Sequence, residues 1–230
     1  MHIKIQNQLK NISEVKYKEF SLKLLPPDTK LLGVRIPLLK KMAKEIIKNK
    51  SSSDYLATSF KDLTYQEERM LYSLIIAYEE NSDDEKIEKI KHYVSNIKNW
   101  SECDTFSAAL KSINKNKEKY YSAFVSYTKS PQEYEVRFFY VIALNYYIED
   151  TYLPDILKRI TTQQFQGYYD RMAVAWFLSM AFAKYQDIIT DFLKKTPLDD
   201  LVYKKTLSKI NDSYQINKEV KQALKQYLTS

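Results

Sequence analysis

The chain has 230 residues, with 44% apolar and 28% charged side chains, the composition of a globular protein that can bury one sizeable core. It contains only two glycines, Gly33 and Gly167, where average usage would supply about sixteen, so glycine-dependent hairpins and phosphate-cradling loops are excluded as frequent features. The net charge of +7 favours a polyanion as partner. These features predict an all-α protein.

The residue inventory also bounds the chemistry of any active site. Cys103 is the single cysteine, which excludes an internal disulfide framework. Together with only two histidines, His2 and His92, it cannot supply a closed zinc site at a familiar spacing. Two glycines are also too few for a GxGxxG or P-loop motif. We therefore expect no metal and no cofactor.

The N-terminal stretch MHIKIQNQLKNISEVKY lacks the apolar core of a signal peptide. Nowhere do 18 apolar residues follow one another, so no membrane span is predicted. The simplest expectation from these patterns is a cytoplasmic protein with no membrane partner.

Five segments place apolar residues at spacings of three and four, which is typical of amphipathic helices. In chain order they are LKKMAKEIIKNK, YQEERMLYSLIIAYEE, DEKIEKIKHYVSNIK, EVRFFYVIALNYYI and RMAVAWFLSMAFAKY. Two capping boxes predict helix starts, Thr64 with Glu67 and Ser130 with Glu133. No linker is long or biased enough to divide the chain, so we predict a single domain over residues 1–230.

Basic residues recur at intervals of 34 or 68 residues, each followed by a helix-like segment. The series is Arg35, Arg69, Arg137, Arg171 and Lys205, and the vacant step between the second and third members falls on Cys103. One helix pair per 34 residues predicts a curved stack of helical hairpins, whose concave face can follow a long ligand. The basic residues have two readings, an ion pair with a carboxylate of a neighbouring repeat or a contact with a phosphate backbone.

The stretch NWSECD, at residues 99–104, occupies the altered step of this repeat and also has two readings. In the first, Ser101 and Asp104 form a capping box that starts the following helix. In the second, Trp100 and Asp104 face a ligand. The first reading explains the aspartate better than the tryptophan, because the staple position falls on Thr105, a poor apolar partner.

Trp176 is the other tryptophan, and a plain core position is its simplest interpretation. If both indoles instead faced one surface, their electron-rich faces would suit a cation. Asp104 between them would stabilise positive charge that develops in a transition state, and Arg137 would hold a phosphate through its forked donors. Such a site suits a cationic nucleotide.

At these residues the chain resembles the HEAT-like-repeat DNA glycosylases of the AlkD type. The similar segments are GVRIPLLKKMAKEI, NWSECD, EYEVRF, YYDRMAVAWFLSMAFAKY and KKTLSKINDSYQINKE, which together extend over nearly the whole chain. The family's catalytic pattern is a tryptophan four residues before an aspartate, then an arginine, then a second tryptophan. Trp100, Asp104, Arg137 and Trp176 match it in that order.

The resemblance implies an all-α, right-handed solenoid of HEAT-like or ARM-type antiparallel hairpins. It implies excision of cationic N3- or N7-alkylated purines from duplex DNA, with the lesion left stacked in the helix. Trp100 and Trp176 would contact the deoxyribose while Asp104 stabilises its oxocarbenium-like form. DNA contacts are expected from Arg137 and from the other repeat residues, Arg35, Arg69, Arg171 and Lys205.

We further expect a monomer without cofactor that works at the nucleoid. Two other hypotheses remain at this stage, a non-catalytic DNA-binding module that kept the scaffold and a solenoid that binds only other proteins. A basic concave face would distinguish DNA binding from protein binding, and activity would distinguish the enzyme from the binding module.

Overall fold

The computed structural model describes residues 1–229, with side chains described through residue 226. This part of the chain is built from helices joined by turns and short loops, and it contains no β-strand. The all-α prediction is confirmed. The chain forms two compact units, residues 1–115 and residues 116 onward. The single domain over residues 1–230 stays a prediction.

The first unit contains seven α-helices and one 3₁₀ turn. They are α1 (His2–Asn11), α2 (Val15–Leu22), α3 (Ile36–Lys48), α4 (Ser52–Leu56), α5 (Gln66–Tyr78), α6 (Asp83–Val94), α7 (Trp100–Ala109) and the turn Lys111–Lys115. Helix α5 is central, because α3 packs on it and so does α7. All of its residues from Gln66 to Ala77 are buried, whereas α2 has no buried residue.

The second unit has the same kind of arrangement around a different central helix. Its elements are α8 (Lys117–Phe124), the 3₁₀ turn Val125–Lys129, α9 (Glu133–Tyr146), α10 (Leu153–Thr161), α11 (Tyr168–Lys184), α12 (Gln186–Lys195), α13 (Asp200–Asp212) and α14 (Lys218–Thr229). Helix α11 packs against both α9 and α13. Its core includes the small residues Ala173, Ala175 and Ala181, which allow helices to approach closely.

The 34-residue period corresponds to every second helix. The basic series and Cys103 fall at the start of α3, α5, α7, α9, α11 and α13, and within each unit these alternate helices pack on one another. Polar contacts span the same interval. Asn99 donates to the Gln66 side chain at 2.9 Å, and the Tyr121 hydroxyl donates to Asp155 at 2.7 Å. One step of the period is therefore one helix pair.

Two predicted helix starts are displaced in the structure. Helix α5 begins at Gln66, and the Glu68 carboxylate accepts from the Tyr65 N–H at 2.9 Å, one residue beyond the expected pair of Thr64 and Glu67. The reason is that Glu67 bonds to a distant loop. Helix α9 begins at Glu133 after Gln132, while the Ser130 hydroxyl donates to Glu135 at 2.5 Å.

Candidate functional site

The first turn of α7 arranges the NWSECD residues. Asn99 has extended φ and ψ angles of −154° and 167°, and its Oδ1 accepts from the N–H groups of Ser101 at 3.0 Å and Glu102 at 3.1 Å. Asn99 is therefore the N-cap, and the capping box predicted for Ser101 and Asp104 is wrong. Ser101 lies inside the helix because Asn99, which precedes it, already satisfies the free amides.

Trp100 and Asp104 consequently lie one turn apart on the same face of α7, and both are half-buried. They line a pocket of about 200 Å³ within the first unit. Two further aromatic residues, Tyr17 and Phe20 of α2, line the same pocket. The pocket thus combines the Asp104 carboxylate with three aromatic side chains.

The indole of Trp100 is held in a defined position by the loop that follows α2. Its Nε1–H donates to the backbone carbonyl of Leu24 at 3.1 Å, and Leu24 itself lines the pocket. This hydrogen bond joins residues 76 positions apart in sequence. It fixes the ring while leaving its face available to the pocket.

Glu67 holds the opposite wall of the pocket to α5. Its buried carboxylate accepts from three consecutive backbone N–H groups, those of Leu32 at 3.0 Å, Gly33 at 2.6 Å and Val34 at 3.0 Å. Three such bonds satisfy a buried charge without a cationic partner. The result is a rigid connection between α5 and the loop that precedes α3.

Gly33 allows α2 to sit against this loop. Its φ is +104°, and its carbonyl accepts from the Glu14 N–H at 2.9 Å. A Cβ at this position would lie 2.5 Å from the Glu14 carbonyl oxygen and 2.9 Å from the Cβ of Lys18. Only glycine therefore permits the close approach that brings Tyr17 and Phe20 to the pocket.

The two repeat arginines of the first unit differ in environment. Arg35 is exposed, forms a two-pronged ion pair with Glu14 at 2.8 and 2.9 Å, and lies 4.9 Å from the ring centre of Tyr17. Its hydrogen bonds lower the pKa of the Glu14 carboxyl. An exposed guanidinium of this kind can exchange its partner for a phosphate, because exposed pairs are weak.

Arg69 is buried and bonds to the next helix pair. Its guanidinium donates to both oxygens of buried Glu102, at 2.9 and 3.1 Å, and to the carbonyl of Asn96. Burial raises the pKa of Glu102, and the Arg69 charge partly offsets that effect. The geometry favours the interpretation of Arg69 as a partner in an ion pair between repeats, and not the DNA contact that the resemblance implies.

In the second unit, Arg137 and Trp176 lie on neighbouring helices, α9 and α11. Arg137 is buried, and its Nη1 donates to the carbonyl of Tyr169 at 2.8 Å, with the ring centre 6.0 Å away. Trp176 is half-buried, and the Lys209 ammonium lies 5.7 Å from its ring centre. Trp176 is thus at the surface of its helix stack and accepts a cation on its ring face.

The last two members of the basic series are also in this unit. Arg171 pairs with Asp199 at 3.0 Å, donates to the Gly167 carbonyl and lies 5.0 Å from the ring centre of Phe165. Lys205 is half-buried on α13. Arg171 is therefore part of an ion pair between neighbouring repeats, and its guanidinium is only partly buried.

Of the four residues that match the catalytic pattern, the structure brings Trp100 and Asp104 into one pocket and puts Arg137 and Trp176 on adjacent helices. The convergence of the two pairs on one face stays a prediction. Local sequence patterns did not reveal Tyr17 and Phe20 as pocket residues, since α2 has no clear apolar stripe. Gly33 is one signal for the pocket, because glycine is rare in this chain and permits a close backbone approach.

Comparison with known families adds to this geometry. A family model described as DNA alkylation repair enzyme matches residues 5–218. The chain belongs to this family. The match includes α2, the Gly33 loop, α7 and the helices that carry Arg137 and Trp176. No curated protein and no solved structure matched the chain.

This DNA alkylation repair family member offers little to a metal ion. In the described part of the chain, no group of three or more His, Cys, Asp or Glu side chains is arranged to hold one. The pocket of Asp104 is lined mostly by aromatic, aliphatic and hydroxyl side chains, and of its two carboxylates Glu67 is already bonded to three backbone N–H groups. No helix within residues 1–229 is both long and apolar enough to cross a bilayer.

Proposed function

We propose that the protein is a DNA glycosylase that hydrolyses the N-glycosidic bond of cationic N3- or N7-alkylated purines in duplex DNA. The observation that carries the proposal is the pocket in which Asp104 lies beside Trp100, Tyr17 and Phe20. Membership of the DNA alkylation repair family supports alkylated DNA as the substrate, and the resemblance to the AlkD-type glycosylases adds the cationic purines. The proposed enzyme acts as a monomer, without cofactor, at the nucleoid in the cytoplasm.

Asp104 has the central role in the proposed reaction. As the bond between C1′ and the base nitrogen breaks, its electron pair neutralises the alkylated base and the sugar becomes cationic. The Asp104 carboxylate stabilises that charge, and water then adds to C1′ and releases a proton to solvent. The base needs no protonation because it already leaves as a neutral molecule, so a general acid is not required.

The ring faces of the aromatic residues would also stabilise the positive charge on the sugar. Electron-rich rings attract a cation without hydrogen-bonding to it, which allows the sugar to change charge without losing its partner. Trp100 is oriented for this role by its bond to Leu24, and Trp176 is proposed as the second wall. We propose that the lesion remains stacked in the duplex, as the resemblance to the AlkD-type glycosylases implies.

The basic series supplies the proposed DNA contacts. Arg35, Arg171 and Lys205 would contact the backbone at neighbouring repeats, and Arg137, which is buried with its Nη1 on the Tyr169 carbonyl, would have to exchange that partner for a phosphate near the lesion. We leave Arg69 out of this surface because Glu102 and the Asn96 carbonyl already occupy its guanidinium. Contacts of this kind position the protein on DNA without selecting a sequence.

The test is base release from duplex DNA that contains N7-methylguanine, measured in single turnover. Asp104→Asn keeps the shape of the side chain and removes its charge, so the rate should fall by about a hundred- to a thousand-fold. Asp54→Asn, the same charge change at an exposed position of α4, is the matched control and should keep the parent rate. Equal rates for the parent and Asp104→Asn would contradict the mechanism.

A further inference from the structure

A second pocket of the first unit lies outside the proposed catalytic site. It has a volume of about 440 Å³ and is lined mainly by the loops that precede α3, α5 and α7. Each of those loops contributes one lysine to the lining, namely Lys30, Lys61 and Lys98. All three side chains are exposed. The pocket is therefore bordered by ammonium groups from three successive helix pairs.

The charges of this lysine pocket are unbalanced. None of the three lysines forms an ion pair with any residue that the structure describes. Two carboxylates line the pocket, exposed Asp28 and buried Glu102, and Glu102 is already paired with Arg69 at 2.9 Å, so the four cationic side chains of the lining outnumber the anionic ones by two. A concave surface with this excess of positive charge attracts anions.

Two of the three lysine positions follow the repeat. Lys30 and Lys98 are separated by 68 residues, two steps of the period, and they precede α3 and α7. The floor of the pocket adds neutral amides, those of Gln66 and Asn99, which bond to each other at 2.9 Å. The exposed ammonium groups at successive helix pairs suit a ligand with several anionic groups in a row.

The lysine pocket also adjoins the pocket of Asp104. Gln66 lines both cavities, and the segment after α2 divides them, with Leu24 and Leu25 on one side and Thr29 and Lys30 on the other. A ligand that passed from one pocket to the other would cross the N-terminal end of α7. A single DNA strand could therefore contact the three lysines and also reach Asp104 and Trp100.

We propose that the lysine pocket binds consecutive phosphate groups of one DNA strand beside the alkylated nucleotide. The proposal rests on the proposed function for the identity of the polyanion, and it assigns three residues that belong neither to the catalytic pattern nor to the basic series. Phosphodiesters match the site in charge and in repetition. The three lysines fix the register of the strand relative to Asp104.

The experiment measures the affinity for an undamaged duplex by fluorescence anisotropy between about 50 and about 200 mM salt. The variant carries Lys30→Gln, Lys61→Gln and Lys98→Gln, and the control carries Lys4→Gln, Lys48→Gln and Lys50→Gln, also exposed lysines of the same unit. The slope of log K against log salt should decrease in magnitude by about 0.9 for each phosphate that is no longer neutralised, hence by about 2–3 in the variant. The control should change it by less than about 1.

Each outcome decides the proposal. Equal slopes for the parent and the Lys30, Lys61 and Lys98 variant would overturn it, whatever the parent does to alkylated DNA. Inorganic pyrophosphate is the second probe, at matched ionic strength. If it bound the parent more tightly than the duplex does, the pocket would be a site for a free phosphate compound and the DNA assignment would fail. A reduced slope together with no base release by the parent would uphold the phosphate pocket and overturn the glycosylase.

Discussion

The Trp100 indole N–H donates to the carbonyl of Leu24 at 3.1 Å and so joins the first residue of α7 to the loop after α2. That loop forms the wall between the Asp104 pocket and the lysine pocket. Trp100 therefore positions the loop after α2, and this role is separate from any contact of its ring with a ligand.

Trp100→Phe tests this positioning role, because phenylalanine keeps an aromatic face but cannot donate the hydrogen bond. We expect faster amide hydrogen exchange in the loop between α2 and α3, and base release slower than in the parent but faster than in Trp100→Ala. Mass spectrometry after deuterium labelling measures the exchange. Identical loop exchange in Trp100→Phe and the parent would show that the indole does not hold the loop.

The buried pair of Arg69 and Glu102 predicts an asymmetric response to mutation. Glu102→Gln leaves the guanidinium buried without a countercharge and should lower the free energy of unfolding by about 3–5 kcal/mol. Replacing both partners, as Arg69→Met with Glu102→Leu, should cost less than Glu102→Gln alone, because no uncompensated charge remains. Urea denaturation of the three proteins measures the difference, and a double variant less stable than Glu102→Gln would contradict it.

Gly33→Ala should destabilise the first unit by more than about 1 kcal/mol, because alanine resists a φ of +104° and its Cβ would meet the Glu14 carbonyl. Base release should fall with it as α2 leaves the pocket. Gly167→Ala is the matched control. Its φ of −160° is open to alanine, and the atoms in its way are the Glu133 carboxylate, which can move at the cost of its bond to the Tyr169 N–H. Thermal unfolding and activity, measured on both variants, should rank Gly33→Ala as the more damaging.

Lys86 predicts a pH dependence of stability. It is buried on α6, and its ammonium donates to the carbonyls of Ile76, at 2.7 Å, and Glu79 at the end of α5. Burial lowers its pKa to about 8, whereas the unfolded chain keeps the proton to about pH 10. Between these values only the unfolded state is protonated, so stability rises with pH, by up to about 1.4 kcal/mol per unit.

The measurement compares the parent with Lys86→Met by urea denaturation across this range. The variant lacks the titrating amine and leaves the α5 carbonyls without their donor, so it should be less stable at every pH. The difference in free energy of unfolding should widen from about pH 8 to about pH 10. A constant difference would mean that Lys86 keeps its ordinary pKa in the folded protein.

Local periodicity in the sequence predicted α3, α5, α6, α9 and α11, and the 34-residue interval predicted the packing of alternate helices, but periodicity did not predict α2 or α7, which line the Asp104 pocket. It could not distinguish Arg35 from Arg69, which occupy equivalent steps. Arg69 is paired with Glu102, a buried carboxylate of the next repeat, whereas Arg35 is paired with exposed Glu14 at the start of α2. The period predicts the position of a residue on its helix, but the partner of its side chain is determined by the packing of the helices.

The cap of α7 shows the same limit at shorter range. Asn99, Ser101 and Asp104 are all competent at a helix start, and the local pattern selected the wrong one. Asn99 is the N-cap because its amide also bonds to Gln66, a residue of the preceding repeat. Because Asn99 is the N-cap, Asp104 is an internal residue of α7 and lines the pocket.

Helix α5 makes polar contacts in both chain directions, backward through Glu67 to residues 32–34 and forward through Gln66 and Arg69 to residues 99 and 102. Each contact closes a loop of similar, modest length, for which the entropy cost is small. We therefore expect α5 to be the folding nucleus of its unit, with α3 and α7 added to it in either order. Substitutions in its buried face, such as Leu74→Ala, should then slow refolding more than they accelerate unfolding.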